Sequence, residues 1–152
     1  LGEGLKSIGL IKGDVSEAVK EGVMGLFMPH GLGHLMGMDV HDMENFDENL
    51  VGYDEHTSRS TQFGFSSLRF GRKLEEGIVL TDEPGCYFIP ALIDKFKAEN
   101  KFKSFVNYDE LESFKDFGGI RIEDDILVTD KGNRVLGKPI PKTVKEIEDI
   151  MK

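Results

Sequence analysis

Apolar and polar residues recur along the chain with periods that predict several short helices. Between residues 14 and 27, apolar side chains follow one another at roughly helical spacing. Asp14, three residues ahead of Glu17, is typical of a helix start, because an aspartate oxygen can accept a hydrogen bond from a free backbone N–H of the first turn. Thr143 and Glu146 form a second such pattern. One helix is therefore expected near each end of the chain.

The second half of the chain predicts strands with helices between them. Residues 78–82 form a short apolar run bounded by glycine and a Pro-Gly pair, which is typical of a strand, and residues 87–89 are expected to continue it or pair with it. From 91 to 117, apolar residues among charged ones predict two short helices broken near Asn107. Residues 119–128 alternate, which predicts one strand with its isoleucines on one face.

The histidines lie where glycine and proline oppose a helix. Three of the four, His30, His34 and His41, fall within twelve residues that contain three glycines and directly follow Pro29. We therefore expect them on a loop or on short turns. Residues 42–67 are mostly polar and predict a long surface loop.

Composition restricts the class of protein. A length of 152 residues is typical of one domain, and 28 acidic against 19 basic residues give a formal charge of −9. This balance argues against nucleic acid and anionic membranes as partners. No apolar run approaches the roughly 18 residues of a membrane span. The single Cys86 cannot form an internal disulfide, so a cytoplasmic location is expected.

Charged residues on the predicted strands suggest a metal site without proving one. Arg121, Glu123 and Asp125 share one face of residues 119–128, and Glu83 ends the other strand beside Pro84. Two carboxylates and a glycine-flanked histidine are ligands that suit Mn, Co or Zn. The same residues also fit a cross-strand ion pair and a solvated turn carboxylate. Spacing alone therefore leaves metal binding open.

Four blocks of sequence narrow these alternatives. They are FMPHGLGHLMGMDVHD at 27–42, SLR at 67–69, LTDEPG at 80–85 and FGGIRIEDD at 117–125. In this order they closely resemble the signature segments of prolidases, the Xaa-Pro dipeptidases of the pita-bread metallopeptidase family. The stretch from 105 to 119 resembles prolidases more than aminopeptidases P, their nearest relatives.

The resemblance implies a metal centre with named ligands. His34, Glu83 and Glu123 match metal ligands, with Glu123 bridging two divalent ions, most simply Mn, with Co or Zn as alternatives. Arg121 would orient Glu123 or another ligand. The implied reaction is hydrolysis of the imido bond of an Xaa-Pro dipeptide by water activated between the two ions.

The resemblance also implies a substrate site. His30 and His41 match catalytic histidines that contact the scissile carbonyl and the tetrahedral intermediate, so His41 also binds substrate. Arg69 matches the residue that grips the carboxylate of the C-terminal proline, for which a guanidinium fork is well suited.

The implied fold is α+β, the second half of a pita-bread (creatinase/aminopeptidase-like) fold. Residues 1–152 would be the C-terminal part of the catalytic domain, cut from a longer protein that is a homodimer, with the upstream half absent. The family also uses two aspartates and a histidine upstream of the histidine segment, and here only Asp14 precedes His30. We therefore expect the 152 residues alone to be inactive, to bind metal weakly, and to self-associate through an uncovered apolar face.

Two alternatives to prolidase remain at this point. One is an enzyme of the aminopeptidase P type, which needs no tight grip on a free proline carboxylate. The other is a non-catalytic pita-bread protein that binds peptides or protein partners in its groove. The retained histidine and carboxylates disfavour the second, and the missing aspartates favour it.

Overall fold

The computed structural model describes Leu1 to Lys152 as a mixed helical and sheet fold. The helices are α1 Gly2–Ser7, α2 Val15–Lys20, α3 Glu44–Gly52, α4 Pro90–Ala98, α5 Tyr108–Leu111 and α6 Val144–Ile150. The strands are β1 Val79–Asp82, β2 Gly85–Tyr87, β3 Gly119–Arg121, β4 Asp124–Thr129 and β5 Gly132–Val135. Three 3₁₀ turns cover Val23–Leu26, Phe65–Ser67 and Glu112–Phe114. No helix combines the length and the apolar composition that a membrane crossing requires.

Two antiparallel sheets are built from the same two stretches of chain. One sheet has the order β1-β4-β5 and the other pairs β2 with β3. Asp82 faces Asp124 in the first sheet, and Gly85 faces Arg121 in the second. The residues between these pairs, Glu83 with Pro84 on one side and Ile122 with Glu123 on the other, therefore meet at the junction of the sheets.

The hydrophobic core lies on the helical side of the molecule. It contains thirteen buried residues contributed by α1, α2, the 23–27 turn, α4, α5 and the segments between them. Phe27 and Phe88 are both buried in it, with their ring centroids 6.1 Å apart in an edge-to-face arrangement. The chain enters the histidine segment at Phe27 and leaves β2 at Phe88, so the core fixes both segments from one side.

Several predicted elements are confirmed. The Asp14 side chain accepts a hydrogen bond from the Glu17 backbone N–H at 2.9 Å at the start of α2, and Thr143 with Glu146 forms a complete capping box on α6. Strand 78–82 appears as β1, and the two helices broken near Asn107 are α4 and α5. Each of these elements is specified by neighbouring residues, which is why the sequence pattern identifies it.

Two predicted boundaries are wrong. The helix expected over 14–27 ends at Lys20, because Gly22 has a left-handed backbone (φ 82°), and the chain continues as a 3₁₀ turn. Residues 119–128 form two strands rather than one, because β3 pairs with β2 while β4 pairs with β1. Pro84 lies opposite the break and has no N–H to donate to a continuous ladder.

Two other expectations are corrected by the strand pairing and by the helices of the structure. Tyr87 pairs with Gly119 in β3, so the segment after β1 neither extends that strand nor pairs with it. The segment 42–67 is not a structureless loop, since it contains α3 and a 3₁₀ turn. Strand β5 and helix α1 were not predicted.

Candidate metal centre and substrate pocket

The histidine segment is a loop, as predicted, and it runs beside β1 with one isolated bridge between Leu35 and Leu80. The backbone N–H of Thr81 donates to the carbonyl of His34 at 3.0 Å, and the N–H of Glu83 donates to the carbonyl of Leu32 at 2.8 Å. Gly33 permits this approach, because a Cβ there would lie 1.9 Å from the carbonyl oxygen of Thr81. The glycine between the two histidines therefore brings the imidazole of His34 against the end of β1.

His34 and Glu83 meet in a buried polar cluster. The Nε2 atom of His34 lies 3.3 Å from Oε1 of Glu83, and their side chains are only 5% and 9% exposed. The Thr81 hydroxyl donates to the same Oε1 at 3.0 Å and accepts from the backbone N–H of His34 at 3.0 Å. One threonine thus positions both the imidazole segment and the carboxylate.

The protonation of His34 decides what this pair can hold. Its Nδ1 lies 3.0 Å from the carbonyl oxygen of Leu35, and since a carbonyl only accepts, Nδ1 carries the hydrogen. In the neutral ring, Nε2 then presents a lone pair to a carboxylate oxygen that also only accepts. Two buried acceptors 3.3 Å apart require a proton or a cation between them. The lone pairs of these two atoms could both coordinate a divalent metal ion, so the pair fits such an ion.

Arg121 joins the second carboxylate to this pair. Its Nη1 lies 2.8 Å from Oε2 of Glu83 and 3.8 Å from Oε2 of Glu123. Its Nε donates to the Tyr87 hydroxyl at 2.8 Å, and this hydrogen bond, opposed in part by burial, raises the pKa of Arg121 above its usual value. The guanidinium thus remains charged and holds both carboxylates. Even so, no three His, Cys, Asp or Glu side chains of the chain converge closely enough to hold a metal ion.

A small polar pocket opens beside the pair. It has a volume of about 180 Å³, and it is lined by His30, Gly31, Gly33, His34, His41, Arg69, Glu83 and Arg121. The Nδ1 atom of His30 lies 2.6 Å from the carbonyl of Gly31, and its Nε2 is buried without any partner. An unpartnered buried nitrogen at a pocket wall is expected to hydrogen-bond to a ligand.

The opposite wall is built around Arg69. Its Nη1 donates to Oε2 of Glu44 and lies 3.9 Å from Oε2 of Glu48, both on α3. The Nδ1 of His41 is 3.6 Å from the same Glu44 oxygen, and the His41 ring centroid is 4.2 Å from that of His34. This wall is less buried than the His34–Glu83 side.

The structure brings most of the predicted site residues together and adds three. Six of them line the pocket. Glu123 lies just outside the lining, and Nη1 of Arg121, which belongs to the lining, is 3.8 Å from its Oε2. The sequence reasoning missed Thr81, Tyr87 and Glu44. Thr81 could have been found, because it lies two residues before Glu83 and so shares its face of the strand. Tyr87 and Glu44 reach the site only through tertiary contacts.

Comparison with known proteins shows which family the chain belongs to. The model of metallopeptidase family M24 matches residues 3–130. The chain is 45% identical over 149 residues to the Xaa-Pro dipeptidase of Rattus norvegicus and 44% identical over 149 residues to that of Homo sapiens, in each case covering 98% of this chain and 29% of the relative.

Two solved aminopeptidase structures are also similar to this chain. Zinc-substituted Escherichia coli aminopeptidase P in complex with product is 34% identical, with a TM-score of 0.61, and the match covers 98% of this chain and 26% of that one. Pseudomonas aeruginosa aminopeptidase PepP is 32% identical, with a TM-score of 0.63, and the match covers 99% and 26%. The chain thus spans less than a third of the length of these proteins. With its mixed α+β fold of the pita-bread type, the chain belongs to metallopeptidase family M24.

Proposed function

We propose that this chain is the C-terminal part of the catalytic domain of a metal-dependent Xaa-Pro dipeptidase, in which His34, Glu83 and Glu123 bind divalent ions. The observation that supports this most directly is the buried pair of acceptors, Nε2 of His34 and Oε1 of Glu83, separated by 3.3 Å. The names of the rat and human relatives agree with it. We propose two ions, with Mn as the first candidate and Co or Zn as alternatives.

The chain's own residues would position these ions and their ligands. Divalent ions bound here would polarise the scissile carbonyl and lower the pKa of the attacking water. Thr81 fixes the Glu83 carboxylate, and the hydrogen bond from Nδ1 of His34 to a backbone carbonyl keeps its Nε2 directed at the site. Nη1 of Arg121 contacts both Glu83 and Glu123, so it would keep the two candidate ligand carboxylates near each other.

The pocket walls would hold the substrate. We propose that His30 and His41 contact the scissile carbonyl and the tetrahedral intermediate from either side of His34. Since Nδ1 of His30 already donates to a carbonyl, its Nε2 can donate to a developing oxyanion only when the ring carries both protons. Arg69 would bind the proline carboxylate of the dipeptide.

We also propose that these 152 residues are insufficient for activity by themselves. Only two ligands converge closely here, with Glu123 beside them, whereas a two-metal site needs several more oxygen or nitrogen donors. Those donors would come from upstream residues of a longer protein. Weak metal binding and no turnover are therefore expected for this chain alone.

The test compares the 152-residue chain with the longer protein that contains it. Both are loaded with Mn²⁺ and assayed for release of proline from Gly-Pro. The longer protein is expected to hydrolyse the dipeptide and the 152-residue chain is not. Turnover by the short chain would contradict the proposed insufficiency, and no turnover by the longer protein would contradict the dipeptidase function.

A second candidate is an enzyme of the aminopeptidase P type, which acts on longer Xaa-Pro peptides. It is favoured by the names of the matching solved structures and by the carboxylates that already occupy Arg69. Comparing Gly-Pro with Gly-Pro-Ala on the longer protein separates the two, since a dipeptidase is expected to prefer the shorter peptide. Binding of either peptide without hydrolysis would instead support a non-catalytic peptide-binding protein.

A further inference from the structure

Arg69 is already paired with a carboxylate of its own chain. Its Nη1 donates to Oε2 of Glu44, and the same oxygen lies 3.6 Å from Nδ1 of His41. The Glu44 side chain is 13% exposed, whereas Arg69 is 38% exposed. Glu44 is thus a largely buried anion that lies between the two cationic or potentially cationic groups on this wall of the pocket.

A second arginine, Arg59, links α3 to the loop that carries Arg69. Arg59 donates through Nη2 to Oε1 of Glu48 at 2.7 Å and through Nε to Oδ1 of Asn49 at 2.9 Å. Its Nη1 also donates to the carbonyl of Leu68, next to Arg69, at 3.0 Å. Arg59 therefore ties the second half of α3 to the loop that carries Arg69.

The other guanidinium of the pocket has a different task. Arg121 contacts Glu83, Glu123 and the Tyr87 hydroxyl, so its donors already hold the candidate ligands. Arg69, in contrast to Arg121, pairs only with carboxylates of α3, which lie outside the candidate metal centre. An anionic group entering the pocket would consequently compete with Glu44 for the donors of Arg69.

We propose that Glu44 is an internal competitor that sets the affinity of Arg69 for the substrate carboxylate, and so determines the specificity of the pocket. This inference depends on the proposed function only in that Arg69 receives the proline carboxylate. Glu44 occupies Nη1 of Arg69 and its charge repels a second carboxylate at the same guanidinium, so a free dipeptide binds best when Glu44 moves away. A substrate whose proline ends in a neutral amide does not need that donor, and its binding is insensitive to Glu44.

The open cleft beside the pocket provides a place for the displaced side chain. It is lined by Asp39, Val40, His41, Glu44 and Asn45. Glu44 therefore lies on the boundary between the polar pocket and this cleft. Met43, just before it, has a positive φ of 59°, which a methionine rarely adopts.

The first experiment measures discrimination between two substrates. The longer Mn-loaded protein is assayed with Gly-Pro and with Gly-Pro-amide, as wild type and as E44Q, with E55Q as the control because Glu55 is highly exposed and its one ion-pair neighbour is His56. E44Q is expected to raise kcat/KM for Gly-Pro about 3- to 10-fold through a lower KM, which is about the range of one ordinary hydrogen bond or partly exposed ion pair. The kcat/KM of E44Q for Gly-Pro-amide should change less than twofold. The kcat/KM of E55Q should also change less than twofold, for either substrate.

The second experiment does not depend on hydrolysis. N-acetylproline and its amide are titrated into the metal-free 152-residue chain while the Arg69 side-chain Nε–H signal is followed by NMR. N-acetylproline should bind E44Q more tightly than wild type, and the amide should not shift the signal in either protein. Equal or weaker N-acetylproline binding by E44Q would overturn the inference. Failure of all proteins to cleave either peptide, with the NMR result as expected, would reject only the proposed function.

Discussion

The two walls of the pocket are built in different ways. The strand wall consists of His34, Thr81, Glu83 and Arg121, which are positioned by β1, β3 and the backbone hydrogen bonds between the histidine segment and β1. The α3 wall consists of His41, Glu44 and Arg69, which are held by ion pairs between side chains.

The difference in burial shows what each wall can do. The side chains of His34 and Glu83 are almost fully buried, whereas that of His41 is 46% exposed. A metal site needs ligands fixed to within about 0.5 Å, which strand register can provide. Exposed ion pairs contribute little stability and can exchange partners. The strand wall therefore suits metal binding, and the α3 wall suits an adjustable contact with substrate.

The largest effect should come from Glu83→Gln in the longer protein. The amide keeps the shape of the side chain but removes the charge that faces His34 and Arg121. Replacing a residue that only supports a ligand costs about 10- to 100-fold in metal affinity, so loss of the ligand itself should cost more than about a hundredfold. Calorimetry measures the loss of Mn²⁺ affinity, and a Gly-Pro assay measures the loss of turnover. Glu76→Gln, at an exposed site just before β1, is the control, and equal losses in both variants would contradict the account.

A second large effect should follow from Gly33→Ala. The added Cβ would lie 1.9 Å from the carbonyl oxygen of Thr81, so the histidine segment must move away from β1. We expect a loss of about 2–3 kcal/mol in the free energy of unfolding, which urea denaturation of the chain measures. Gly4→Ala is the matched control, since a Cβ at Gly4 in α1 meets nothing within 4 Å and should be neutral or stabilising. Similar behaviour of the two variants would show that this close approach is not required.

Thr81→Val tests the hydrogen bonds behind the metal ligands. Valine has the shape of threonine but leaves the backbone N–H of His34 and one oxygen of Glu83 without their partner. A loss of about 1–2 kcal/mol in unfolding free energy and about tenfold in Mn²⁺ affinity is expected. Thr129→Val, at the end of β4, replaces a threonine that lies away from the pocket and serves as the control. Unchanged metal affinity in Thr81→Val would mean that Glu83 is positioned without the threonine.

The smallest effect is expected on the α3 wall. Arg59→Gln breaks the link from Glu48 to the Arg69 loop and should lower the unfolding free energy by about 1 kcal/mol or less. Mn²⁺ affinity should stay within twofold, because the strand wall is untouched. Arg134→Gln on the exposed strand β5 is the control. A tenfold fall in metal affinity in Arg59→Gln alone would show that the two walls are not independent.

The sequence predicts the strand wall better than the α3 wall, for a physical reason. β1 is an apolar run with clear boundaries, and the resemblance of residues 27–42 and 117–125 to known segments brings His34 and Glu123 to the site. The adjacency of Glu83 and Glu123 follows once the two stretches pair, although the break after β3 depends on Pro84 in the facing segment.

Helix α3 could not be predicted in the same way. Its sequence has no sustained helical period, and its C-terminal half is held by Arg59 from ten or more residues away. The backbone at Asp47 even departs from helical geometry, with φ at 154°. Because such contacts depend on the folded arrangement, the pairing of Glu44 with Arg69 appears only in three dimensions.

The most direct test of the central claim is a Mn²⁺ titration of the 152-residue chain followed by the histidine ring signals in NMR. A paramagnetic ion held by His34 and Glu83 should broaden the signal of His34 first, together with that of His41, whose ring centroid lies 4.2 Å away. His56, on the exposed segment after α3, is the internal control, and Glu83→Gln should abolish the selectivity. Parallel broadening of His34 and His56, or selective broadening that survives in Glu83→Gln, would contradict a metal centre at the end of β1.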